Sequence, residues 1–220
     1  MNRYVIVLAI LFAGTAYAEP ETDTSAEVAA GPAVDAVWTE HQVDFHFFGN
    51  SLEQTVFYQC DSLRAKVERL LRLAGARRDI EVRTSGCYIT EAQQSYVIRA
   101  DLHFHSPTLA KIAEPANPAV KPLPAAVQWK PVKVQLGWTP GFDPGDCLLV
   151  EQFTLQVLKF FDVRNLTSDL PCAIRQPPPR GKASLGFEAL IATHASEEES
   201  ILAEKQPQKR EEEMKSERKQ

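Results

Sequence analysis

Residues 60–75 read Cys60-Asp61-Ser62-Leu63-Arg64-Ala65-Lys66-Val67-Glu68-Arg69-Leu70-Leu71-Arg72-Leu73-Ala74-Gly75. Leu63, Val67, Leu70, Leu71 and Ala74 recur at the spacing of one helical face. Asp61 is placed to cap the start and Gly75 to stop the end. The expected helix therefore opens beside a cysteine. Upstream, Val43, Phe45 and Phe47 alternate with Gln42, Asp44 and His46; Gly49-Asn50-Ser51 breaks the run and Gln54–Cys60 resumes it, which predicts a β-hairpin. Downstream, Asp79–Cys87 reads as a short strand. Ser95–His105 alternates Ile98, Ala100, Leu102 and Phe104 with Arg99, Asp101, His103 and His105, the pattern of a half-buried strand.

The second part of the chain follows a similar order. Pro107, Pro115, Pro118, Pro122 and Pro124 predict an extended surface loop over Ser106–Pro124. Val127–Leu136 is a strand that Pro131 pushes towards an edge. Asp143 before Pro144 then caps an apolar helix over Cys147–Phe161, with Gln152, Gln156 and Lys159 as its exposed stripe. Val163–Cys172 is extended, residues 176–181 form a turn, and Ala183–Ala192 is a last strand. Duplication and convergence on one layout both explain two such halves. Either way the expectation is an α+β fold: a mixed sheet with two helices packed on one face, and two disulfides.

The chain has 220 residues, 24 basic and 29 acidic side chains, and a net charge of −5. That composition excludes a collagen-like, wholly disordered or polytopic membrane chain, and its mild acidity argues against nucleic acid as a partner. Asn2-Arg3, the apolar run Tyr4–Ala13 and the small-residue site Ala16-Tyr17-Ala18 read as a secretory signal cleaved after Ala18. The run is only about half of the roughly 20 residues that a membrane span needs. Residues 1–18 are thus a signal peptide, 19–37 a flexible leader, 38–194 the folded domain and 195–220 a charged, disordered tail that adds nothing to core stability. Four cysteines, Cys60, Cys87, Cys147 and Cys172, are an even set in an exported chain. Their spacing is too wide for a close-paired zinc site, so they are read as disulfides.

Phe57-Tyr58-Gln59-Cys60-Asp61-Ser62-Leu63, Gly75-Ala76-Arg77, Ser85-Gly86-Cys87, Asp146-Cys147 with Val150-Glu151-Gln152, and Val163-Arg164-Asn165-Leu166 carry a resemblance. Over residues 38–192 the chain resembles a family of exported proteins of gram-negative bacteria with no assigned activity. The resemblance implies a periplasmic location and no catalytic residues.

Asp101, His103 and His105 would share one strand face, where two imidazoles and a carboxylate suit zinc or copper. The competing reading is the solvated side of an amphipathic strand, on which Arg99 opposes a cation. Arg64, Arg69 and Arg72, with Arg77 and Arg78 beyond, form a basic face for an anionic glycan, lipid headgroup or partner, or an ordinary solvated helix face. Trp129, Trp138 and Phe142 would line a groove or join the core. No nucleophile motif, Gly-rich phosphate loop or H-E-x-x-H motif is present, and no cofactor is expected. The expected role is a periplasmic binding or interaction module whose partner is an envelope protein, glycan or peptide. The alternative is zinc or copper handling by His103 and His105.

The pairing expected is Cys60 with Cys87 and Cys147 with Cys172. It rests on parallel strands flanking each helix, which would bring both cysteines to one end of the sheet. Non-reducing peptide mapping should recover these two links, and a peptide joining either of the first two cysteines to either of the last two would refute the pairing.

Overall fold

Strand, helix, strand, strand is the order of the chain, and it occurs twice. The computed structural model describes residues 33–49, 56–87, 97–109, 124–172, 178–193 and 196–201. The first set is β1 (Val34–Phe48), α1 (Cys60–Leu73), β2 (Glu81–Ser85) and β3 (Val97–Leu109). The second is β4 (Pro124–Gln135), α2 (Cys147–Gln156), β5 (Val163–Asp169) and β6 (Ser184–Ala192). Short 3-10 turns, Pro144–Asp146 and Leu158–Phe160, bracket α2. The six strands form one sheet in the order β2-β3-β1-β4-β6-β5. In each set the first strand pairs with the last, and the last with the middle one. The two first strands then meet at the centre through Val34–Val37 on Pro124–Val127.

Every pairing among these strands is antiparallel. The α+β class, the helices and both disulfides are as expected, but the sheet is not mixed. Cys60–Cys87 and Cys147–Cys172 both form, with Cα atoms 5.3 Å apart in each. No parallel pair brings them together. Each helix instead begins beside the end of an edge strand, where the Thr84 hydroxyl donates to the Cys60 carbonyl at 3.4 Å.

The sheet buries one face under both helices. Val43, Phe45 and Phe47 of β1, Ile98, Ala100, Leu102 and Phe104 of β3, and Leu185, Phe187 and Ala189 of β6 meet Leu63, Val67, Leu70 and Leu71 of α1 and Leu149 and Phe153 of α2. This strict alternation is what a sheet with one solvated face requires. Ala36 and Trp38 have the opposite parity. With Ala125, Val127 and Leu190 they form a second, smaller cluster on the other face.

Several sequence boundaries shift for physical reasons. The expected hairpin is replaced by a 15-residue β1 that pairs with the distant β3, and residues 56–59 are not strand. Val34–Val37, expected in the leader, is strand because it joins the halves. Asp61 does not cap α1: Gln59 holds that position, while Asp61 accepts from Arg64 at 2.8 Å within the first turn. Pro131 is tolerated because β4 meets β1 only over Pro124–Val127, so beyond that the β1 side of β4 has no strand to receive an N–H. The bulge between Arg164 and Thr167, with Asn165 at φ 53°, breaks the ladder of the edge strand β5. Residues 196–201, expected in the charged tail, are helical, and Ser200 is buried. The rest of that tail, the signal segment, most of the leader and most of the proline-rich loop lie outside the described residues.

Gln152 and Gln156 are not a solvated stripe. The Gln152 side chain accepts from the Phe48 N–H at 2.8 Å and donates to its carbonyl at 2.9 Å. Gln156 does the same for His46, at 3.1 and 2.8 Å. Two amide side chains thus act as a strand along the edge of β1 that β4 leaves open. A second link joins the halves at the helix starts. Asp146 accepts from the Tyr58 hydroxyl and from Lys66 Nζ at 2.6 Å. Burial first, and then the Asp146 charge, hold the Tyr58 proton far above its ordinary range. Gln156→Glu keeps the shape and the acceptor but removes the donor to the His46 carbonyl. Urea denaturation should show a loss of about 1–2 kcal/mol.

Candidate functional site

α1 ends in a Schellman turn. Ala76 N–H donates to the Leu71 carbonyl at 2.9 Å and Gly75 N–H to the Arg72 carbonyl at 3.1 Å, with Gly75 at φ 102°. Only glycine fits here, because a Cβ would stand 2.3 Å from the Leu190 carbonyl oxygen of β6. The turn throws residues 76–79 across the ends of β3 and β6, where Arg77 N–H donates to the His105 carbonyl at 2.9 Å.

The Arg77 side chain is wholly buried. Its guanidinium donates through Nε to Asp79 Oδ1 at 2.8 Å and through Nη2 to Asp79 Oδ2 at 2.6 Å. The same Nη2 lies 3.0 Å from His105 Nδ1, Nη1 reaches Ser200 Oγ at 3.4 Å, and the cation stands 5.7 Å from the centre of the Trp38 ring. Burial alone would raise the Asp79 carboxyl; hydrogen bonds from His105 and Arg77, with the Arg77 charge, overcome it and hold the group well below the ordinary carboxylate range. A buried guanidinium matched by a two-pronged carboxylate is a rigid structural centre.

Beside this centre lies a cavity of about 160 Å³. Its lining includes Trp38, Arg72, Arg78, Ile191, Ala192 and Glu197. Trp38 is 7% exposed, and its indole N–H has no acceptor among the described residues. Arg78 is bound by Glu197 from the turn at 196–201. The Glu197 carboxylate accepts from the Arg78 backbone N–H and lies 3.4 Å from Arg78 Nε. Arg72 donates to the Arg78 carbonyl at 3.4 Å and faces no carboxylate among the described residues.

The sequence candidates divide. Of Arg64, Arg69 and Arg72, only Arg72 reaches the cavity; Arg64 is paired with Asp61, and Arg69 lies against Gly141. His103 hydrogen-bonds Glu40 at 2.7 Å, a contact that, with burial opposing, holds the Glu40 carboxyl below its usual range. The rings of His103 and His105 are 6.0 Å apart, but His105 turns its Nδ1 to Arg77 and Asp79 while Asp101 is exposed opposite Asp44 and Arg83. Nothing in that arrangement gathers the three around a cation: among the described residues no three His, Cys, Asp or Glu side chains are grouped to hold a metal ion. His46 Nε2 lies 3.1 Å from Asp44 Oδ1 without hydrogen-bond geometry. Trp129 stacks on Arg164, Trp138 is exposed, and Phe142 is core. Trp38, Asp79, Glu197 and Ser200 were not legible as site residues: Trp38 stands at the expected start of the folded domain, Asp79 at a strand start, and Glu197 and Ser200 in the charged tail.

A half-buried His41 is paired with the buried Ser106. Ser106 Oγ donates to the Phe160 carbonyl at 2.9 Å, so His41 Nε2, also 2.9 Å away, is its donor. That commits the serine to structure. Comparison with known proteins finds no family model, curated relative or solved structure that matches the chain.

Burial first, and then the neighbouring His105, lower the His41 pKa, with Glu40 opposing. A base whose folded pKa lies below its unfolded value gives its full stability above the unfolded value, about 6.5, and loses it as pH falls below. Between pH 7.5 and 5.5 the unfolding free energy should therefore fall, and His41→Phe should make that fall shallower.

Proposed function

We propose that the chain is an exported binding module of the periplasm, released by cleavage after Ala18, and that the cavity beside Trp38 holds its ligand. The two disulfides point to an oxidising, extracytoplasmic setting, and among the described residues no helix is long and apolar enough to cross a membrane. The observation that carries the reading is the cavity itself, which the buried Trp38 ring lines together with two arginines, Arg72 and Arg78. A concave site with a few convergent polar groups is the usual form of a small-ligand pocket.

The test uses the indole N–H resonances of the three tryptophans in nitrogen-15-labelled protein, titrated with acetate, glutarate and N-acetylglutamate. The Trp38 signal should shift saturably while those of Trp129 and Trp138 stay fixed. A Trp38 signal that does not move, or three signals that move in proportion, would sink the reading.

A further inference from the structure

The turn at 196–201 already places a carboxylate at the mouth of this cavity. Glu197 accepts from the backbone N–H of Arg78 and pairs with its guanidinium, beside Arg72, which lacks an acidic partner among the described residues. Hydrogen bonds also attach the rest of the turn. Ser196 Oγ accepts from the Ala126 N–H at 3.0 Å, Glu197 N–H donates to the Thr193 carbonyl at 3.1 Å, and Ser200 meets Arg77 at 3.4 Å. Of its described residues only Ser200 is buried. The Ser196 bond is exposed, and polar attachments at a surface are individually weak and exchange readily with other acceptors, whereas the Ser200 contact with Arg77 is buried.

We propose that the cavity is a receptor for an acidic peptide segment of a partner protein and that Glu197 is an intramolecular stand-in for the partner's carboxylate. The inference rests on the cavity being the binding site. The incoming side chain would take the Glu197 position, with one carboxylate oxygen on the Arg78 N–H and the other between the guanidinium groups of Arg78 and Arg72. A planar carboxylate fits the Arg78 N–H and guanidinium together, as Glu197 itself demonstrates. Its chain would follow the course of the turn, past Ile191 and Ala192. Because Glu197 is tethered, it competes at an effective concentration that reaches the millimolar range for a short connection, so the closed form masks the site until a partner presents several acidic residues together.

The experiment measures fluorescence anisotropy of a fluorescein-labelled peptide, Ser-Glu-Glu-Glu-Ser-Ile, against the full chain and its Glu197→Gln form. Removing the tethered competitor should tighten binding by about tenfold or more. Arg72→Ala in the Glu197→Gln background should weaken it again, and a peptide with glutamine for glutamate should not bind. Equal affinity for wild type and E197Q, or equal binding of the uncharged peptide, would overturn the proposal. So would concentration-dependent self-association of E197Q, which would make a second copy the occupant. If the peptide fails but small carboxylates still shift the Trp38 indole signal, this inference falls while the cavity reading stands; if neither acts, both fall.

Discussion

Four residue pairs, Val34–Val37 on Pro124–Val127, are the only strand pairing between the halves among the described residues. Past that join β1 and β4 separate, and each leaves backbone groups that must find partners elsewhere. The helices supply them across the boundary. Gln152 and Gln156 of the second half complete the edge of β1, and the carbonyl of Phe160 and the carboxylate of Asp162 receive Ser106 and Leu109 of β3. In return the end of α1 lies against β6 at Leu190, and Lys66 with Tyr58 grips Asp146. The halves are interlocked rather than set side by side. The cavity belongs to that geometry, since it lies where the end of α1 passes between Trp38 and the end of β6.

Local pattern was legible wherever one face of an element is buried. The α1 stripe, the alternation in β3 and the Asp143–Pro144 start ahead of α2 follow from side-chain period and backbone chemistry. What failed depended on partners far along the chain. The pairing of β1 with β3 cannot be read from Val43–Phe47, because alternation fixes which residues face the core and not which strand lies alongside. Gln152 and Gln156 look solvated because polar side chains usually are; here they replace a missing strand. The disulfide pairing came out right by way of a parallel arrangement that does not exist, because any layout placing a helix start at the end of the edge strand after it gives the same two links.

The site was less legible than the fold. A basic helix face was visible, but its arginines separate in space: Arg64 turns to Asp61 and only Arg72 reaches the cavity. Arg77 reads as one more surface cation and is instead the most deeply enclosed charge among the described residues, matched by Asp79 two residues on. Its burial is set by the turn at Gly75, whose sequence mark, a glycine after a helical stripe, says where a helix stops but not what the next residues pass under. Asp101 and His103 behave as residues on the solvated side of a strand, whereas His105 sits where β3 is covered on both faces.

The exchange of helices between halves also bears on how the chain acquires its structure in time. During synthesis the first half appears with its apolar face formed from β1, α1, β2 and β3 but without Gln152 and Gln156, so the outer side of β1 stays open until those residues follow, 104 and 110 positions after the backbone groups they complete. Contacts of such long sequence separation slow the final collapse, because their loop entropy is lost before the contacts form. The Cys60–Cys87 link spans only the first half and can form before the second arrives, holding α1 to β2 while the open edge awaits its cover.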